Sequence, residues 1–200
     1  MIESQLIWTA VLFNMGGRRY YTFRLGDDLV QFFALDTTTL AKEHRGGSPD
    51  PEQEAWLENE LGASRARWRI AFFHHPIYSS GRRHGGNKRV KESLEQILVE
   101  GRVNIVFAGH EHFYARLQPQ QGILHFINGA AAKLRRGNIS DRSPITGCGN
   151  DQERSFLYLE LDPEELRFEA VSESGLVFDQ GTVSYDSKAG LQLKAHCQTR

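Results

Sequence analysis

Two histidine clusters are the residues of this chain best placed to do chemistry. His74-His75-Pro76 follows the apolar run Trp68 to Phe73, and Gly109-His110-Glu111-His112 follows Ile105-Val106-Phe107-Ala108. Each cluster closes a short buried-strand pattern, so imidazoles stand where two adjacent strands would end, the sheet edge at which ligands and metals collect. Two histidines two residues apart on an extended turn can aim both rings at one centre, and Gly109 permits a tight backbone there. His74 adds a third neutral imidazole, a donor set that suits zinc, iron or manganese. His75 reads as a residue that packs against or orients its neighbour.

A second group lies between the clusters. Arg82-Arg83-His84-Gly85-Gly86-Asn87-Lys88-Arg89-Val90-Lys91 holds five cations, one histidine and no acid. Cations at a helix start oppose the helix dipole, so their placement wants another reason, and a nearby phosphate would be one. Gly85 and Gly86 give the loop freedom to approach a ligand. His84 could donate to a phosphoryl oxygen or protonate a leaving group, with Arg82, Arg83 and Asn87 as further phosphate contacts.

The elements that must position these groups follow from periodicity and turn chemistry. Tyr20 to Arg24 and Leu29 to Leu35 predict a hairpin around Leu25-Gly26-Asp27-Asp28. Asp50-Pro51-Glu52-Gln53 predicts a capping-box helix start, with Trp56, Leu57 and Leu61 on one face before Gly62. Asn87 predicts the cap of a second helix carrying Val90, Leu94, Ile97 and Leu98. Trp68 to Phe73 and Val103 to Ala108 are buried strands. The order strand, helix, strand, helix, strand implies right-handed crossovers and a largely parallel or mixed sheet, within an α/β or α+β fold. Beyond Gly109, Ile123 to Ile127, Phe156 to Leu161, Leu166 to Val171 and Leu176 to Val183 predict antiparallel strands. Ala132 to Arg154 reads as a long surface loop, and residues 187–200 as a frayed tail after a single domain over residues 1–186.

Composition narrows the function. Two hundred residues at 40% hydrophobic and 24% charged suffice for one domain with a core. A net charge of -1 argues against nucleic-acid binding driven by overall charge, so any anion site is local. No run of about 18 apolar residues predicts a membrane span. Met1 to Arg19 shows no signal-peptide pattern. Cys148 and Cys197 are too few for a disulfide scaffold or a four-cysteine zinc site. Whether they bridge is left open, and compartment is not legible.

Trp68-Arg69-Ile70-Ala71-Phe72-Phe73-His74-His75-Pro76-Ile77-Tyr78-Ser79-Ser80-Gly81, followed by Gly109-His110-Glu111-His112-Phe113-Tyr114-Ala115-Arg116, resembles the calcineurin-like metallophosphoesterases, especially their purple-acid-phosphatase-like branch. Supporting pieces are Tyr20 to Phe23, Leu35-Asp36-Thr37, Gln53 with Trp56-Leu57, and Gly129 before Lys133-Leu134-Arg135. The resemblance implies a two-sheet β-sandwich flanked by helices. It implies two metal ions, divalent or mixed-valence Fe, Zn or Mn, at the strand ends, and hydrolysis of phosphate esters by a metal-bound hydroxide. It carries His74 and His110 over as ligands of one metal and His112 as a ligand of the other. His84 falls at the position of a substrate-contacting histidine. The full-length family is often secreted or periplasmic.

This chain departs from the family in its acids. The family's Asp-x-His or Asp-x-Gly, Gly-Asp-x-x-Asp or Gly-Asp-x-x-Tyr, and Gly-Asn-His-Asp/Glu motifs should precede Tyr20, and none is present in Met1 to Arg19. Gly26-Asp27-Asp28 belongs to the hairpin turn, and Asp36 alone does not replace several carboxylates. The expectation is a fold incomplete on its amino-terminal side, holding the histidine half of a dinuclear site, with a sheet edge left open through which copies could associate. The alternative is a non-catalytic domain that binds metal or phosphate.

Overall fold

Apolar patterning divides the strands into those buried on both faces and those buried on one. Trp68–Phe73 (β3) is of the first kind: Trp68 and Ile70 enter one core while Ala71 and Phe73 enter another. A strand buried on both faces belongs in the middle of a layered structure. The computed structural model describes residues 19–41, 48–140, 142–186 and 188–198. The elements run β1 (Tyr21–Leu25), β2 (Val30–Ala34), α1 (Pro51–Ala63), β3, α2 (Lys88–Glu100), β4 (Ile105–Ala108), β5 (Tyr114–Leu117) and β6 (Leu124–Asn128). Then come β7 (Thr146–Asn150), β8 (Ser155–Leu161), β9 (Glu165–Ser172), β10 (Val177–Asp186) and β11 (Gly190–Cys197).

One sheet has seven strands in the order β1-β2-β3-β4-β6-β5-β7, and the other has four in the order β11-β10-β9-β8. In the first, β2, β3, β4 and β6 are parallel and β1, β5 and β7 antiparallel to their neighbours. The second is an antiparallel meander. Trp68, Ile105, Leu124 and Phe126 of the first pack against Leu166, Phe168, Phe178 and Val183 of the second, closing a β-sandwich. On the other face, Leu57 and Leu61 of α1 and Val90, Leu94 and Leu98 of α2 cover Ala71, Phe73 and Val106. The expected two-sheet sandwich flanked by helices is therefore the observed architecture.

The hairpin forms as expected, with Gly26 (φ 63°) and Asp27 (φ 55°) taking the left-handed conformation of its turn. Both helices start at the expected caps: Asp50 accepts from Gln53 N at 3.1 Å, and Asn87 accepts from Arg89 N and Val90 N. The Gln53 side chain does not close a capping box. It is fully buried and latches the main chain at the end of β2, accepting from Asp36 N at 2.7 Å and donating to Asp36 O at 3.0 Å.

Three strands run where none was expected. The four residues of β5 are all buried, Arg116 included, so no alternation marks them. The segment read as the surface loop Ala132 to Arg154 contains β7, whose Cys148 is buried. The tail expected to fray is instead β11, paired with β10 from Asp179↔Cys197 to Asp186↔Gly190. Cys148 and Cys197, 49 residues apart, form a disulfide with a Cα–Cα distance of 5.6 Å, so the two sheets are covalently joined. The edge strand β8 leaves Phe156 and Tyr158 half exposed. The amino-terminal segment, up to residue 18, lies outside the described residues, and no helix among those described is long and apolar enough to cross a membrane.

Candidate metal centre

Parallel pairing of β3 with β4 sets the site. Phe73 stands opposite Ala108, so the chain leaves both strands at the same level, and Gly109 N donates to His74 O at 3.1 Å. The tight backbone expected at Gly109 falls one residue later: His110 itself is left-handed, with φ 66°. That conformation costs a non-glycine residue free energy and collects at functional sites. It directs the His110 ring toward β3, where its Nδ1 lies 3.2 Å from His74 Nε2.

His75 completes the group. Its ring centroid lies 4.7 Å from those of both His74 and His110, and the three residues offer ring nitrogens within 4.8 Å of one another. Thr37, just past β2, fixes His75 twice: its Oγ1 lies 2.9 Å from Nδ1 and accepts from His75 N at 3.1 Å. With Nδ1 so engaged, Nε2 is the atom left to the cluster. Burial above all, then the neighbouring His110 and His74, pushes the His75 imidazole down to about 4. Burial, with Arg135 and Lys133 behind it, also lowers His112. Both shifts favour the neutral ring that a metal ligand must present.

His84 joins from the basic loop, its ring 4.5 Å from that of His110 and its Nε2 within 3.3 Å of Arg135 Nη1. His112 stands outside the group of three, and its Nδ1 is a buried nitrogen with no partner. The other candidates fall elsewhere. Arg82 and Arg83 are exposed, and their main-chain N–H groups donate to Asn138 O and Oδ1. Asn87 Oδ1 is committed to the cap of α2. The Asp36 carboxylate accepts from Thr38 N and from Arg19.

Two residues that sequence reasoning passed over hold the site together. Glu111 has no exposed surface and accepts from His84 N (3.2 Å), Gly85 N (3.0 Å) and Asn138 Nδ2 (2.6 Å). It therefore ties the loop carrying His84 to the turn carrying His110 and His112. Two positions packed against it have to be glycines: an added Cβ at Gly81 would lie 2.0 Å from Glu111 Oε1, and one at Gly129 would lie 2.2 Å from Glu111 O. Those glycines, 30 residues upstream and 18 downstream of Glu111, were the one signal available, and it cannot be decoded without the fold. Arg135 is the second such residue.

The donors fit a metal ion. Two nitrogens each about 2.0 to 2.1 Å from a tetrahedral ion stand about 3.3 Å apart, close to the observed separation of His74 Nε2 and His110 Nδ1. The partnerless Nδ1 of His112 is a further donor, whereas no carboxylate joins the three imidazoles among the described residues.

A mixed-sheet sandwich with imidazoles at the ends of two parallel strands defines a metallophosphoesterase fold, and the chain belongs to the calcineurin-like phosphoesterase family, whose sequence profile matches residues 5–114. Purple acid phosphatase 17 of Arabidopsis thaliana is 33% identical over 141 residues, covering 62% of this chain and 40% of the relative. Tartrate-resistant acid phosphatase type 5 of Homo sapiens is 26% identical over 167 residues, covering 73% and 50%. Among solved structures, purple acid phosphatase PPD1 from yellow lupin (Lupinus luteus) seeds superposes with a TM-score of 0.69 at 20% identity, over 84% of this chain and 33% of that one. The structure described as PhoD gives 0.64 at 18% identity, over 88% and 44%. The chain thus spans half or less of the length of these relatives.

Proposed function

We propose that this chain supplies the histidine half of a dinuclear centre that hydrolyses phosphate esters. His74 and His110 serve one metal and His112 the other, with carboxylate ligands contributed by a segment outside the described residues or by another chain. The observation that carries this reading is the 3.2 Å approach of His74 Nε2 and His110 Nδ1 at the ends of paired strands. Family membership and relatives named as acid phosphatases support phosphate esters as the substrate class.

Bound Fe, Zn or Mn ions would supply Lewis-acid stabilisation of the charge that develops on the phosphoryl oxygens. The protein's own residues do the rest. Thr37 holds His75 so that its ring backs the His74–His110 pair. Glu111 holds the loop from which His84 overhangs His110. Nε2 of His84 faces Arg135 Nη1 at 3.3 Å, so Nδ1 is the ring atom left to meet a phosphoryl or leaving oxygen.

The test is hydrolysis of p-nitrophenyl phosphate by the purified chain with Zn, Fe or Mn added, alongside metal stoichiometry. Turnover that disappears in His110→Ala supports the reading. The second reading, a metal- or phosphate-binding domain without catalysis, is favoured by the all-imidazole composition of the group. It expects metal binding with no turnover under any added ion, and that result would set the first reading aside for this chain.

A further inference from the structure

Arg135 lies after β6, 23 residues beyond His112, yet its main-chain N–H donates to His112 O at 2.9 Å and its guanidinium reaches His84. Among the described residues its only side-chain hydrogen-bond partner is that imidazole, and no carboxylate of theirs pairs with it. A half-buried arginine set against an imidazole, rather than an acid, leaves its charge and most of its donors to something else.

The placement is built. Asn138, three residues on, donates from Nδ2 to the buried Glu111 carboxylate, and its carbonyl accepts from Arg82 N at 2.7 Å. The same carboxylate accepts from His84 N and Gly85 N. One fully buried acid therefore anchors both the loop that presents His84 and the loop that presents Arg135. It holds Arg135 beside His84, whose ring lies 4.5 Å from that of His110.

We infer that Arg135 joins His84, the phosphate contact that the resemblance already implies, in holding the phosphoryl group, and that its guanidinium is what makes the site select a monoester over a diester head, an inference that rests on the phosphoester reading above. The guanidinium offers parallel N–H groups matched to two oxygens of one phosphoryl group. A monoester head has three terminal oxygens and up to two negative charges, enough to meet Arg135, His84 and the histidine cluster together. A diester has two terminal oxygens and one charge, so one of those donors is left unsatisfied.

The experiment is calorimetric titration of the zinc-loaded chain with inorganic phosphate and with dimethyl phosphate, for wild type, Arg135→Gln and Arg135→Lys. Wild type should bind phosphate at least about tenfold more tightly than dimethyl phosphate. Arg135→Gln should lose about tenfold in phosphate affinity and the preference with it, while Arg135→Lys, which restores charge without the fork, recovers part. Zinc stoichiometry and the thermal midpoint should be the same in all three, separating ligand contact from folding. Equal affinity for the two probes, an unweakened Arg135→Gln, or zinc-loaded wild type that binds no phosphate would each overturn the inference. Turnover reports on the proposed function separately: phosphate binding that depends on Arg135 without hydrolysis sinks the catalytic reading and leaves this one standing.

Discussion

A carboxylate with no exposed surface needs donors, and Glu111 finds three on two loops. Glu111→Ala strands those donors and opens a void beside Gly81, so it should destabilise the chain by about 3 kcal/mol, read from urea unfolding. Glu111→Gln keeps an acceptor for His84 N and Gly85 N but turns an NH2 toward Asn138 Nδ2, so a smaller loss is expected; a loss as large as for alanine would mean that charge, and not shape, holds the loops. His125, on β6 beneath Tyr78, gives the fold a second dependence at the residue scale. Burial alone pushes its imidazole down to about 3. The folded state keeps it neutral while the unfolded chain protonates near pH 6.5, so its contribution is complete above pH 6.5 and is lost as pH falls from there toward 3. The loss is about 1.4 kcal/mol per pH unit in that window. His125→Phe, which cannot titrate, should therefore lose about 2 kcal/mol less than wild type between pH 7.5 and pH 5. Parallel slopes for the two proteins would show that His125 is not held neutral.

Between elements, the two sheets are joined by a polar contact as well as by apolar packing. Arg116 on β5 donates from Nε and Nη2 to the Asp179 carboxylate of β10, at 2.9 and 3.0 Å, and Tyr114 Oη donates to the same group at 2.8 Å. All three are buried, and burial raises the Asp179 carboxyl against the lowering pull of Arg116. Removing one partner leaves the other charge dry, so Asp179→Ala should cost about 3 to 5 kcal/mol. The double change Arg116→Met with Asp179→Leu should recover most of that, because it buries no unpaired charge. If the double variant is as unstable as the single one, the pair has a role beyond mutual neutralisation. This contact also shows where sequence reading stops. The caps at Asp50 and Asn87, the turn at Gly26-Asp27 and the buried runs of β3 and β4 are local signals, and those elements were legible. The strand β5 was not, because its Arg116 is polar in sequence and neutralised only by a residue 63 positions away. Likewise His74, His110 and His112 were legible as groups closing buried strands. Glu111 and Arg135 were not, since their roles depend on loops that meet only in the folded chain.

At the scale of the molecule, the order of layers separates what holds the sheets together from what holds the site. The histidines sit at the ends of β3 and β4, whose helix-facing side is covered by α1 and α2, whereas the Cys148–Cys197 bridge joins β7 at the edge of one sheet to β11 at the edge of the other. A bridge between residues 49 apart restricts the unfolded chain by about 4 kcal/mol on the chain-entropy account. In the folded state its loss falls first on β11, which among the described residues pairs only with β10. The double variant Cys148→Ala with Cys197→Ala should therefore be less stable by about 4 kcal/mol. Amide hydrogens of β11 should exchange well before those of β9, which is paired on both sides. Zinc uptake by the histidine cluster should be retained at temperatures where the variant is still folded, because neither bridged strand carries a cluster residue. A variant that loses zinc binding along with β11 protection would instead show that the second sheet helps to fix the strand ends from which His74 and His110 project.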